Sequence, residues 1–142
     1  MSITSANAIL MLGVNNVFSS PRQIQGFATD DAFETEVQEL GETQMGVDGQ
    51  LSGGFVFSPV SMGISLMADS PSIDFFDAWA AAERVIKDKY TAFGTIYLQG
   101  IGKKYAMTKG FLISAPVLPD AKKVLQPRKF TVRWQSVLPA PV

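Results

Sequence analysis

The sequence predicts a mainly β fold, a β-barrel or sandwich with one flanking α-helix over about residues 72–87. Three observations carry this. Short apolar or alternating runs, punctuated by Gly, Pro, Asn and Asp, fill most of the chain. Residues 33–40 and 128–137 alternate with a period of two, the signature of strands with one wet face. The period changes to a helical one only once, just after Ser70-Pro71-Ser72.

From the start, residues 8–14 form an apolar strand, Asn15-Asn16 a turn, and 17–20 a second strand ended by Pro21. A short extended piece covers 24–28. In 33–40, Phe33, Thr35 and Val37 share one face and Glu34, Glu36 and Gln38 the other. Residues 41–50, with three glycines and little periodicity, are expected to be a long loop whose tip carries Met45 and Val47, unusual residues for a solvated loop. Strands follow at 51–58 and 60–68. In the second, Val60, Met62, Ile64 and Leu66 face one way, and the small Ser61, Gly63 and Ser65 the other.

Ser70 to Ser72 offer a hydroxyl cap to a helix over 73–87, with Asp74 and Asp77 near its start and Arg84 and Lys87 near its end, the order a helix dipole favours. Its apolar side, which includes Phe75, Phe76, Trp79, Val85 and Ile86, is too wide for a single sheet contact. Further strands are expected at 95–99, 103–114 and 128–137, with a glycine turn at 100–104 and a loop at 116–127. The tail from Pro139 is expected to leave the sheet.

Length and composition bound the rest. A chain of 142 residues makes one domain, residues 1–142. It is 46% hydrophobic and only 18% charged, against roughly 25% charged in an average soluble domain. A small domain has much surface to cover, so low polarity implies that part of its outside is covered by assembly. The uncharged opening is too interrupted for a signal peptide, and the uncharged stretch 49–68 has the length of a membrane span but too many Gly, Ser and Pro for one. The expectation is a soluble intracellular chain without membrane anchoring.

Cysteine and histidine are both absent, which removes disulfides, thiol chemistry, the commonest general base and the commonest transition-metal ligand. Asp30, Asp31, Glu34 and Glu36 are the one carboxylate cluster that could bind a hard cation, but a solvated strand face explains them better. Neither 52–54 nor 100–104 ends as a phosphate loop does. No catalytic, cofactor-binding or metal residue is assigned, and no cofactor is expected; a carboxylate-based metal enzyme is the least favoured reading.

Charge is divided along the chain. Residues 1–83 hold eleven acids and one base, Arg22, and residues 84–142 hold eleven bases and two acids. The halves pair within one domain, or acidic and basic surfaces meet between copies, where complementarity sets register. Strand edges also need covering, and only Pro21 and Pro59 look suited to blunt them. Edges used between copies give closed rings or advancing filaments.

Four segments, 2–8, 25–33 (Gln25-Gly26-Phe27-Ala28-x-Asp30-Asp31-Ala32-Phe33), 45–54 (Met45-Gly46-Val47-Asp48-Gly49-x-Leu51-Ser52-x-Gly54) and 68–77 (Ala68-Asp69-Ser70-Pro71-Ser72-x-Asp74-x-Phe76-Asp77), together resemble the tail tube proteins of contractile-tailed bacteriophages. The motifs run to about residue 83; beyond it the similarity lies in strand order and length. The resemblance implies a homohexameric ring, rings stacked head to tail into a helical assembly inside a contractile sheath, and a β-lined channel for DNA ejection. Tubes of phage-like bacteriocins and of type VI secretion share that architecture and are the alternative. At six copies of four strands, the wall would be roughly 45–50 Å across between backbones.

The resemblance also gives residues roles. Glu34, Glu36, Gln38, Ser61 and Ser65 would face the lumen, where acids and hydroxyls let DNA slide as non-specific cargo. The loop would reach the next ring through Met45, Val47 and Asp48, with Leu51 beside them. The helix would meet a neighbouring subunit through Phe75, Phe76 and Trp79. The implied partners are other copies of the chain and the sheath, baseplate and tail terminator proteins; the implied location is the virion tail, assembled in the host cytoplasm.

Overall fold

Antiparallel pairing joins seven strands into one sheet in the order β2-β1-β7-β8-β9-β6-β3. In a computed structural model that describes residues 8–28, 33–118 and 120–141, these are β1 (Ala8–Val14), β2 (Phe18–Ile24), β3 (Phe33–Thr35), β6 (Val60–Leu66), β7 (Ala92–Leu98), β8 (Lys103–Ser114) and β9 (Arg128–Ala140). The remaining strands, β4 (Gly41–Met45) and β5 (Leu51–Phe55), pair only with each other. Among the described residues a single α-helix, α1 (Ile73–Ile86), joins β6 to β7. The fold is thus mainly β with one helix, as expected.

The sheet is rolled, because the chain leaving one edge arrives at the other. Beyond β2, Phe27 bridges to Leu66, Met67 N donates to Gly26 O at 2.8 Å and Ala28 N donates to Ser65 O at 3.0 Å. The crossing needs glycine at position 26, where φ is +75° and a Cβ would lie 2.5 Å from Ser70 Oγ. The short strand expected at 24–28 is therefore the crossing between edges.

Inside the roll sit Leu10, Leu12 and Val14 of β1, Met62, Ile64 and Leu66 of β6, and Phe130, Val132 and Trp134 of β9. Apolar side chains at alternate strand positions bury together, each contributing roughly 1.5–3 kcal/mol. Helix α1 closes the roll. Phe76 stacks on Phe130 with centroids 4.4 Å apart, and Phe75 stacks on Phe18 at 4.6 Å. At Lys109, where φ is 47°, β8 bulges against β7, so that Met107 and Gly110 both face inward.

Several boundaries differ from expectation, each for a physical reason. Strand β2 runs through Pro21 because it is an edge strand, and its register against β1 slips between Leu12 and Val14. Strand β9 extends through Pro139, which pairs with Tyr105; β6 begins at Val60 opposite Trp134, so later residues of β9 have one side without a β6 partner, on which no N–H is needed. Ser72 does not cap α1 with its hydroxyl. That oxygen accepts from Gln25 N at 2.8 Å, and Ser70 Oγ donates to Gln25 O, so the two serines tie the helix start to the crossing. The turn between β7 and β8 falls where expected, on Gln99–Ile101 and Gly102.

The ion pairs answer part of the charge question. Glu34 pairs with Lys129, Asp77 with Arg128 and Glu83 with Lys89, each joining the acidic half to the basic half within the chain.

Candidate assembly interface

The largest departure from expectation lies at 36–58. Only Phe33–Thr35 stays in the sheet; after Glu36 N donates to Ser61 O, the chain leaves it. What was expected to be a loop at 41–50 is a strand and a turn, and with β5 it makes a projecting hairpin. Val56 N donates to Leu40 O, Gln38 Nε2 to Ser58 O and Ser58 Oγ to Glu39 O, which zip the hairpin's neck. At the tip, Gly46 N bonds to Gln50 O and Gln50 N to Asp48 Oδ1, with Gly49 at φ 85°. The sequence concealed the first strand of this arm because residues 41–45 carry no alternation of apolar and polar side chains; the second falls within the strand expected at 51–58.

Every residue of both arm strands is exposed. The register Thr43↔Gly53 and Met45↔Leu51 places Thr43, Met45, Leu51 and Phe55 on one face and Glu42, Gln44, Ser52 and Gly54 on the other. Phe57 packs edge-on to Phe55 at the base of the apolar face, yet is 91% exposed. Val47, at the tip, is fully exposed. A two-stranded ribbon is marginal in water alone, and an uncovered apolar face is a contact surface.

The residues expected to line a channel do not form one group. Glu34, Glu36 and Ser61 meet on the outward side of β3 and β6, around a shallow pocket of about 210 Å³ shared with Lys129 and Thr131. That side also carries Arg133, whose Nε donates to Ser61 Oγ at 3.2 Å. It is therefore of mixed sign rather than acidic. Gln38 lies in the neck of the arm, and Ser65 is buried where the crossing covers it.

Phe75, Phe76 and Trp79 point inward. Phe76 and Trp79 have no exposed surface, and all three belong to the chain's own core, because the roll needs bulky rings to fill it. They have nothing left to offer a neighbour. The outward apolar residues of the helix are Val85 and Ile86.

Two charged residues that the sequence reading passed over are buried. Glu83 accepts from Trp79 Nε1, Lys89 Nζ and Tyr90 N. Arg128 lies over the Phe130 ring, donates to both Asp77 oxygens and holds the Pro116 carbonyl. A further apolar patch went unread: Val117, Leu118, Val124 and Leu125 are exposed on the β8–β9 connection, beside Lys122 and Lys123. The Val124-Leu125 pair following two lysines was the available signal.

Asp30 and Asp31 lie outside the described residues. Among the described residues no three Asp, Glu, His or Cys side chains come together as a metal site. None of the described helices is long and apolar enough to cross a membrane.

A family profile described as tail fiber protein gp32 matches residues 1–138. The chain belongs to this family of tail proteins. A search of curated sequences finds no match. Among solved structures, the chain resembles a protein of the PVC sheath-tube complex, an extracellular contractile injection system in its extended state, with TM-score 0.60 and 12% identity over 94% of this chain and 88% of that one. It resembles a protein of the anti-feeding prophage cap, which terminates the tube, with TM-score 0.63 and 12% identity over 100% and 93%. A protein of the anti-feeding prophage baseplate gives 0.56 and 14% over 100% and 97%. At these identities the likeness is one of fold. Family and fold together make this tail-family chain a structural part of a phage-tail-like particle.

Proposed function

We propose that the protein is a tube subunit, whose copies form hexameric rings that stack head to tail into a hollow conduit inside a contractile sheath. The observation that carries this reading is the arm at 36–58, an ordered ribbon whose apolar face its own chain leaves bare. A chain built this way reaches its final burial only among copies. The fold it shares with components of a sheath-tube complex, a tube cap and a baseplate supports the same assembly, with sheath, baseplate and terminator as further partners. In a phage tail the tube is assembled in the host cytoplasm and becomes part of the virion.

The outward side of β3, β6 and β9 is the candidate lining. Its Glu34–Lys129 pair balances charge locally, and Ser61 and Thr131 add small surface. Such a face neither grips nor strongly repels phosphate, which suits DNA as non-specific cargo. A second reading, a tube of a bacteriocin or secretion device with another cargo, draws support from the injection-system origin of the structural neighbours.

The test is electron microscopy of concentrated wild-type protein beside a variant in which residues 41–55 are replaced by Asn-Gly, closing the neck where Val56 bonds to Leu40. The expected outcome is hollow tubes of six-fold symmetry from the wild type and folded subunits without tubes from the variant. Solid fibres, or tubes unaffected by loss of the arm, contradict the reading.

A further inference from the structure

Resting on the tube reading, we infer that the arm's acceptor is the β8–β9 connection of the next copy, a basic and apolar surface at residues 117–118 and 120–125. The arm leaves the sheet at Glu36, opposite Ser61, and returns at Val60, which pairs with Trp134. The connection joins β8 to β9 at the other end, where Leu66 pairs with Arg128. The length of β6, roughly 20 Å at strand rise, separates the two departure points. One copy therefore offers the arm from one end of this strand and the connection from the other. Contact between unlike surfaces at opposite ends advances from copy to copy.

The two surfaces match in chemistry. The arm presents Met45, Val47 and Leu51 with the exposed acid Asp48 at its tip; Glu39 in its neck and Glu42 on its opposite face keep it acidic throughout, and no base occurs between Arg22 and Arg84. The connection presents Val117, Leu118, Val124 and Leu125 with Lys122 and Lys123; Asp120 is its one acid. It begins at the edge of a cleft of about 510 Å³ between the helix end and β8, where Arg84, Lys87 and Lys89 outnumber Glu83 and Asp88 and Ile113 adds apolar surface. Burial would supply the attraction and charge the orientation.

The connection is ordered by its own bonds, so its aliphatic side chains are held outward. Ala121 bridges Leu125, Gln126 N donates to Asp120 O at 2.8 Å and Lys122 N donates to Val124 O at 3.2 Å. Buried Arg128 fixes its base through the Pro116 carbonyl.

The chain has no cysteine, so introduced thiols report contacts without background. Val47→Cys and Val124→Cys both fall on exposed side chains, and circular dichroism should find both variants folded. In concentrated protein under mild oxidation, the double variant is expected to give a ladder of covalent multimers, and the two single variants mixed are expected to give a heterodimer. Adding Lys122→Glu and Lys123→Glu should abolish the ladder, and adding Asp48→Lys as well should restore part of it. If the wild type forms tubes but the double variant gives no ladder, or if Val47→Cys crosslinks only to itself, the acceptor is overturned while the tube stands. A wild type that stays monomeric overturns both.

Discussion

Trp79 Nε1 donates to Glu83 Oε2 at 3.1 Å, one turn along the buried side of α1. The same oxygen accepts from Tyr90 N at 2.9 Å, and Oε1 takes Lys89 Nζ at 2.9 Å, which also reaches the Leu112 carbonyl. One carboxylate thus joins the end of the helix to the approach to β7 and to β8. Glu83→Ala leaves the indole and an amide without their partner, and is expected to cost about 2–3 kcal/mol of folding stability in urea unfolding, with Glu83→Gln costing less.

The helix should separate into folding and surface positions. Trp79→Ala removes a ring with no exposed surface and is expected to lose about 3–5 kcal/mol. Val85→Asp, at an 82% exposed position, should change subunit stability by no more than about 0.5 kcal/mol. Thermal unfolding of the two variants checks the contrast.

Gly110 is a packing requirement. A Cβ there would lie 2.4 Å from the Trp134 ring, so Gly110→Ala should cost about 1–3 kcal/mol as the core is forced apart. Gly54→Ala, where a Cβ meets nothing within 4 Å, should leave unfolding within about 0.5 kcal/mol of wild type.

The apolar face of the arm should matter to assembly and not to folding. Met45→Glu with Leu51→Glu is expected to preserve the circular dichroism spectrum and thermal midpoint while removing high-mass species from gel filtration. A lowered midpoint with intact assembly would oppose this assignment.

Much of the sheet was legible because its strands alternate or are apolar throughout. Strand β8 was read to the residue, and β6, β9 and α1 to within a few. The first strand of the arm was not, since Gly41–Met45 has no alternating pattern and owes its extension to pairing with β5, which lies within the strand expected at 51–58. Period also cannot say which way a wide apolar helix turns: Phe75, Phe76 and Trp79 were read as contacts with a neighbour, but the rolled sheet claims them as filling. Mixed charge on the candidate lining was equally hidden, because Lys129 and Arg133 come from a strand about seventy residues beyond β6 in sequence. The excess of apolar residues, by contrast, was visible at once, and the arm and the β8–β9 connection are where much of it resides.

Sedimentation velocity of the wild-type chain from micromolar to millimolar concentration tests the dependence on assembly most directly. The account predicts a sharp rise from a small species to six-fold multiples and longer tubes, abolished by replacing residues 41–55. A single sharp boundary at the mass of one chain throughout that range, with the arm intact, would contradict it.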